Sequence, residues 1–115
     1  MRIAIASDST TESSEISQHG ARAGYYFLIS TENNEFVVLE NPAAVAEHAA
    51  GPMAAEFLAG QGINQIIAGH FGHKFRMELE ANNIECIEQT GTINDVLENQ
   101  VQRTFSKDSR KYKQT

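Results

Sequence analysis

The chain contains no tryptophan, one cysteine and two prolines among its 115 residues. The single cysteine, Cys86, excludes an intrachain disulfide, so the composition does not point to an oxidising compartment. No stretch approaches the roughly 20 apolar residues of a membrane helix, and the first apolar run is too short for a signal peptide. We therefore expect a soluble cytoplasmic protein.

Basic residues are also scarce, with nine Lys and Arg against 15 Asp and Glu and a net charge of −6. This balance disfavours a nucleic-acid partner, because phosphate binding relies on clustered basic side chains. It is compatible with metals, small ligands or basic protein surfaces. Hydrophobic residues make up 41% of the chain, enough for the core of one domain. We expect that domain to span residues 1–102, followed by a basic, frayed tail over 103–115.

Short β-prone runs and amphipathic segments follow one another along the chain. Helices are expected to begin near Pro52, Gly72 and Thr92, and Thr92 with Asp95 resembles a capping box. Five strands are expected, at Arg2–Ala6, Tyr25–Thr31, Phe36–Leu39, Ile63–Ala68 and Ile84–Glu88.

The order of these elements predicts an α/β fold with a mixed five-stranded sheet. The second and third strands form a hairpin beside the first, and the alternating strands and helices that follow require right-handed parallel crossovers. The sheet order is then 3-2-1-4-5, with the second strand antiparallel. The chain grows in both directions from the first strand, and ligands bind at the carboxyl ends of strands at such a switch point.

Histidines lie in the loops near this edge. His19 follows the first strand, His48 precedes the first helix, and Gly69-His70 ends the fourth strand. Imidazole binds iron, copper and zinc, so His19, His48 and His70 are candidate metal ligands. Arg22 is a candidate partner for an acidic group on a ligand.

Each of these residues also has a simpler interpretation. A loop histidine taken alone is more often a solvent-exposed side chain than a ligand. His73 is expected to face outward from the first turn of its helix. Cys86 falls within a strand, where cysteine commonly behaves as a small buried hydrophobe, so we rank it below the histidines as a ligand.

Four stretches carry a resemblance to a known family: "RIAIASD", "ISQHGARAGYYFLIS", "LENPAAVAEHAAGPMAAEFLAGQGI" and "IIAGHFGHKF". In this order they resemble the motifs of the small domain of nitrogenase iron-molybdenum cofactor accessory proteins. The resemblance covers about residues 1–100. The chain departs from the family pattern at Gly20-Ala21, where the family has Phe-Gly, at Gly24 and His73, where it has Pro, and at Ala49, where it has Gly.

The resemblance implies a three-layer ribonuclease H-like fold and a non-enzymatic protein that binds, carries or helps to assemble an iron-molybdenum or iron-sulfur cofactor. Carried over by motif, the cofactor-binding residues are His19, Arg22, His48, Gly69 and His70. The implied partners are cofactor-assembly proteins, and a homodimer through the edge strand is a further possibility.

Two other functions remain open at this stage. A regulatory module that binds a small anion or a partner protein would use the same cleft without a metal. A metal-dependent nuclease would suit the ribonuclease H-like fold, but it needs several converging carboxylates, and only Asp8 ends a strand in a suitable place.

Overall fold

The computed structural model describes the backbone of residues 1–33 and 35–104 and, in those ranges, the side chains up to residue 99. Five strands and three helices alternate much as the sequence predicts. In chain order they are β1 (Arg2–Ser7), β2 (Tyr25–Ser30), β3 (Phe36–Glu40), α1 (Ala50–Gly60), β4 (Gln65–Ala68), α2 (His73–Ala81), β5 (Glu85–Glu88) and α3 (Ile93–Thr104).

The sheet has the order β3-β2-β1-β4-β5, with β1 at its centre. Ala4 of β1 lies opposite Leu28 in an antiparallel pairing with β2 and opposite Ile66 in a parallel pairing with β4. β3 pairs antiparallel with β2, and β5 pairs parallel with β4. The predicted order 3-2-1-4-5 and the antiparallel second strand are confirmed.

Alternation along β1 divides the core between the two faces of the sheet. Successive strand residues point to opposite faces, so Ala4 and Ala6 join the core under α1 and α2, whereas Ile3 and Ile5 join the core under α3. The small alanines leave room for Tyr26 of β2, which packs in the first of these cores. The fold therefore has three layers, with two helices on one face and one on the other.

The helix ends differ slightly from the sequence prediction. α1 begins at Ala50, two residues before Pro52. A proline is tolerated in the first turn of a helix, because the N–H groups of that turn have no partner within the helix. α3 extends through Thr104, two residues into the predicted tail, and the rest of that tail lies outside the described residues. None of the helices in the described ranges is long and apolar enough to cross a membrane.

The start of α3 has the capping box that the sequence predicts. The Asp95 amide donates to Thr92 Oγ1 at 3.1 Å, and the Thr92 amide donates to Asp95 Oδ2 at 3.3 Å. Two N–H groups that the helix cannot satisfy internally therefore have acceptors.

Thr92→Ala should lower the free energy of unfolding by about 1 kcal/mol, because it removes the acceptor for one of these groups. Urea unfolding would measure the change. Thr90→Ala, an exposed threonine two residues earlier, is the control and should have little effect. Equal effects of the two substitutions would contradict the capping assignment.

Candidate functional site

Two loops meet beyond the carboxyl ends of β1 and β4 and are joined through their backbones. The Gly69 amide donates to the Ser17 carbonyl at 2.8 Å, and the Gly20 amide donates to the His70 carbonyl at 3.3 Å. Ser17 is buried, and its hydroxyl accepts a hydrogen bond from the His19 amide. These bonds hold the segment that carries His19 against the segment that carries His70.

Glycine is required where these loops approach most closely. A Cβ atom at Gly20 would lie 2.9 Å from Cε2 of Phe75 and 3.1 Å from the His70 carbonyl oxygen. The aromatic ring is itself buried in the core under α1 and α2. A larger residue at this position would push the His19 loop away from α2.

The buried side chain of Asn41 fixes the other end of the same loop. Its amide nitrogen donates to the carbonyls of Ala21 and Ala23, both at 2.8 Å, and lies 3.3 Å from the hydroxyl of Tyr26. That hydroxyl donates to the Gly20 carbonyl at 2.6 Å. Three carbonyl groups of this loop, those of Gly20, Ala21 and Ala23, thus have hydrogen-bond donors from two buried side chains.

Arg22 connects this loop to the segment that leads into α1. Its Nη1 atom donates to the Ala46 carbonyl at 2.6 Å. Three residues further on, Ala49 forms the N-cap of α1 with φ of 57° and ψ of 35°, a left-handed conformation that is unfavourable for a residue with a Cβ atom. The path into α1 is therefore defined by a backbone contact from the loop and by one strained residue.

Between these segments lies a cleft of about 750 Å³, within the usual size range of small-molecule sites. The first residues of both α1 and α2 border it. The N-cap residues of these helices, Ala49 and Gly72, have no polar side chain to accept from the free amides. The lining residues are Gln18, His19, Gly20, Ala21, Arg22, Ala49, Ala50, Gly51, Pro52, His70, Gly72, His73, Lys74 and Phe75.

The charges around the cleft are opposite to those of the chain as a whole. Residues 1–102 contain 14 of the 15 acidic residues but only four of the nine basic ones. Two of those four, Arg22 and Lys74, line the cleft, and no Asp or Glu lines it among the residues that the structure describes. Together with the positive ends of two helix dipoles, this arrangement favours an anionic ligand.

The structure brings some of the predicted site residues together and separates others. His19, Arg22 and His70 line the cleft. His48 is exposed in the segment before α1 and is not among the lining residues. Gly69 also lies outside the lining and faces the Gln18 side chain, 2.5 Å from where its Cβ would be.

The structure does not assemble the predicted three-histidine metal cluster. Within residues 1–33 and 35–104, no three His, Cys, Asp or Glu side chains are placed to share one metal ion. The cleft is lined by Ala49 and by the start of α1 at Ala50, whereas His48 is exposed one residue before this lining. His19 and His70 keep their predicted role as candidate ligands.

Sequence reasoning missed two residues of the cleft that can carry a positive charge. His73, expected to face outward, and Lys74 both line it, and both are exposed. They are the first two residues of α2, and side chains in a first turn lie beside the helix N-terminus that borders the site. The sequence already predicted that a helix begins near Gly72 at this edge of the sheet, and this would have placed His73 and Lys74 beside the site.

Asp8 and Cys86, the other two candidate residues, have structural roles in this fold. The Asp8 carboxylate accepts from the Ser17 hydroxyl at 3.1 Å and so helps to fix the loop before His19. Cys86 is half-buried on β5 against the core, and its burial raises the pKa of the thiol. A raised pKa disfavours the thiolate, the form that binds metals.

A comparison with protein-family models matches residues 1–103 to the family named dinitrogenase iron-molybdenum cofactor. The chain belongs to this family. A comparison with curated proteins gave no match.

Three solved structures resemble this chain in fold. The apo form of the orange protein from Desulfovibrio gigas superposes with a TM-score of 0.79 at 21% identity, covering 90% of this chain and 88% of that one. The protein PH0822 gives a TM-score of 0.73 at 20% identity, covering 88% and 90%. A NifB-like protein from Thermotoga gives 0.70 at 30% identity, covering 93% and 88%. The first two likenesses support the fold alone.

The cleft residues fit an anionic metal cluster better than a single metal ion. A single ion needs several ligands that converge on one point, and these are missing from the described part of the chain. A cluster is larger, can be anchored by one or two imidazoles, and carries negative charge that Arg22, Lys74 and the helix ends would balance.

The hydroxyl of Tyr26 should make the stability of the protein depend on alkaline pH. Burial raises the pKa of Tyr26, so the folded state keeps this proton more tightly than the unfolded state. Its contribution is therefore complete below the ordinary tyrosine pKa of about 10 and is lost as the pH rises above it.

Tyr26→Phe should lower the free energy of unfolding by about 1–2 kcal/mol at neutral pH, because the Gly20 carbonyl loses its donor. The difference from the wild type should shrink between pH of about 9 and 11. Urea unfolding of both proteins across that range would measure it. A difference that stays constant would contradict the role given to this hydroxyl.

Ala49→Gly should raise the free energy of unfolding by up to about 1 kcal/mol, because glycine adopts the left-handed conformation without penalty. Ala59→Gly, within α1, is the matched control and should lower stability by roughly 0.5–1 kcal/mol. Thermal or urea unfolding would compare them. A loss of stability in both variants would show that the strain at Ala49 is not released.

Proposed function

We propose that this protein is a non-enzymatic carrier or assembly protein that binds an anionic iron-molybdenum or iron-sulfur cluster in the cleft between the His19 and His70 loops. Its partners would be the cofactor-assembly proteins that deliver and receive the cluster. Family membership supports the class of cargo, and the cleft supports the place of binding.

The observation that carries the proposal is the charge of the cleft. Although the chain has a net charge of −6, this cleft is lined by three imidazoles, Arg22, Lys74 and the N-termini of two helices, and by no carboxylate of the described residues. A group that is at once anionic and able to accept imidazole ligands satisfies both features. An anionic cluster has both properties, whereas a bare cation has only the second.

The described residues give less support to the alternatives. A metal-dependent nuclease needs carboxylates to hold its metals, and the cleft lining in the described ranges supplies none. A regulatory module that binds a small anion or a protein would explain the positive charge of the cleft, but it would give the imidazoles there no function. That second alternative predicts that inorganic phosphate competes for the cleft and that no metal is required.

His19→Ala and His70→Ala should each weaken cluster binding by about 10-fold or more, because each removes a candidate ligand. For comparison, even the outer-shell partners of metal ligands are worth 10–100-fold. Anaerobic titration of the apo-protein with iron-sulfur cluster or isolated iron-molybdenum cofactor, followed by visible absorption and electron paramagnetic resonance, would measure the affinity. His48→Ala is the matched control, since this exposed histidine lies outside the cleft lining.

Two results would contradict the proposal. Unchanged affinity in both cleft variants, with folding verified by circular dichroism, would place the cluster elsewhere. An equal loss in His48→Ala would show that the cleft does not define the site. If the wild-type protein bound no cluster but bound phosphate in the cleft, the small-anion module would replace the carrier.

A further inference from the structure

The His70 imidazole lies close to a carboxylate group outside the cleft lining. Its Nδ1 atom lies 3.8 Å from Oε2 of Glu88, the last residue of β5. Within the described ranges, this is the one histidine with a carboxylate oxygen inside 4.0 Å. His19 and His73, the other imidazoles of the cleft, have no such neighbour among the described residues.

Glu88 is itself held in place by a short chain of contacts. Nη2 of Arg76 donates to the same Oε2 atom at 3.1 Å, and the guanidinium carbon lies 5.2 Å from the centre of the Phe71 ring. That ring is buried and follows His70 directly in the chain. The contacts therefore run from the residue after His70, through α2 and β5, back to the His70 ring.

We propose that Glu88 is a positioning residue for cluster binding: it keeps the neutral His70 imidazole protonated at Nδ1 and so leaves Nε2 free to bind metal. Arg76 positions Glu88 for this purpose. The inference rests on the function proposed above, since it assigns the ligating atom of His70 within the same cleft.

The physical reason lies in the two nitrogens of the imidazole ring. A neutral imidazole carries its proton on one nitrogen and can bind a metal only through the other. In water the proton resides mainly on Nε2, which would block the atom furthest from the backbone. A nearby carboxylate favours the proton on the closer nitrogen, and metal-bound histidines commonly have such a partner.

The contact with Arg76 does not exhaust the carboxylate. An ionised carboxylate oxygen can accept more than one hydrogen bond, so Oε2 can serve the guanidinium and still attract a proton on Nδ1. At 3.8 Å the attraction acts across a gap longer than a direct hydrogen bond. A rotation of the exposed imidazole, or a bridging water, would complete a hydrogen bond from Nδ1–H to Oε2.

The first part of the test uses the full-length apo-protein and needs no cluster. Nitrogen-15 spectra of the histidine rings, recorded at pH of about 8.5, where ordinary imidazoles are neutral, report which nitrogen is protonated. His70 should be mainly the Nδ1–H form in the wild type and should shift toward the Nε2–H form in Glu88→Gln. Glu98→Gln, which removes the same charge from α3 on the opposite face of the sheet, should leave His70 unchanged.

The second part measures cluster affinity by the anaerobic titration. Glu88→Gln should bind about 10-fold more weakly than the wild type, and Glu98→Gln should bind as the wild type does. An unchanged His70 spectrum in Glu88→Gln would overturn the inference even if the wild type binds cluster. A shifted spectrum with full affinity would overturn the link to binding. Failure of the wild type to bind would overturn the proposed function, whereas the spectrum would still decide the role of Glu88 in setting the His70 proton.

Discussion

The hydrogen bonds of the Asn41 amide determine the shape of the candidate site. This buried group reaches across from the end of the hairpin to the loop after β1 and satisfies the carbonyls of Ala21 and Ala23. With the hydroxyl of Tyr26 on Gly20, it fixes the stretch of backbone that carries His19 and Arg22. The cleft can be open and exposed because its wall is fixed from inside the core.

A second property of the molecule is the separation of its charges. No Asp or Glu of the described residues lines the cleft, whereas three of the four histidines, Arg22 and Lys74 do. Such a surface repels large polyanions at long range but offers a small anion strong short-range contacts.

Most of the fold could be predicted from local patterns of apolar, polar and capping residues in the sequence. The alternation from Ile3 to Ala6 identifies a central strand with two buried faces, and Thr92 with Asp95 marks the start of α3. The site was less predictable, because it depends on contacts between distant segments. The sequence shows that Asn41 precedes a proline, but not that its amide reaches a loop 20 residues earlier. Nor does the sequence show that His48, two residues before α1, lies outside the cleft lining.

The most direct test is an anaerobic crystal structure of the cluster-loaded protein, with anomalous scattering recorded at the iron absorption edge. We predict a single anomalous peak within the cleft, bonded to an imidazole nitrogen of His19 or His70 and bordered by the first turns of α1 and α2. A peak at Cys86, at His48 or on the outer acidic surface would contradict the assignment of this cleft as the binding site.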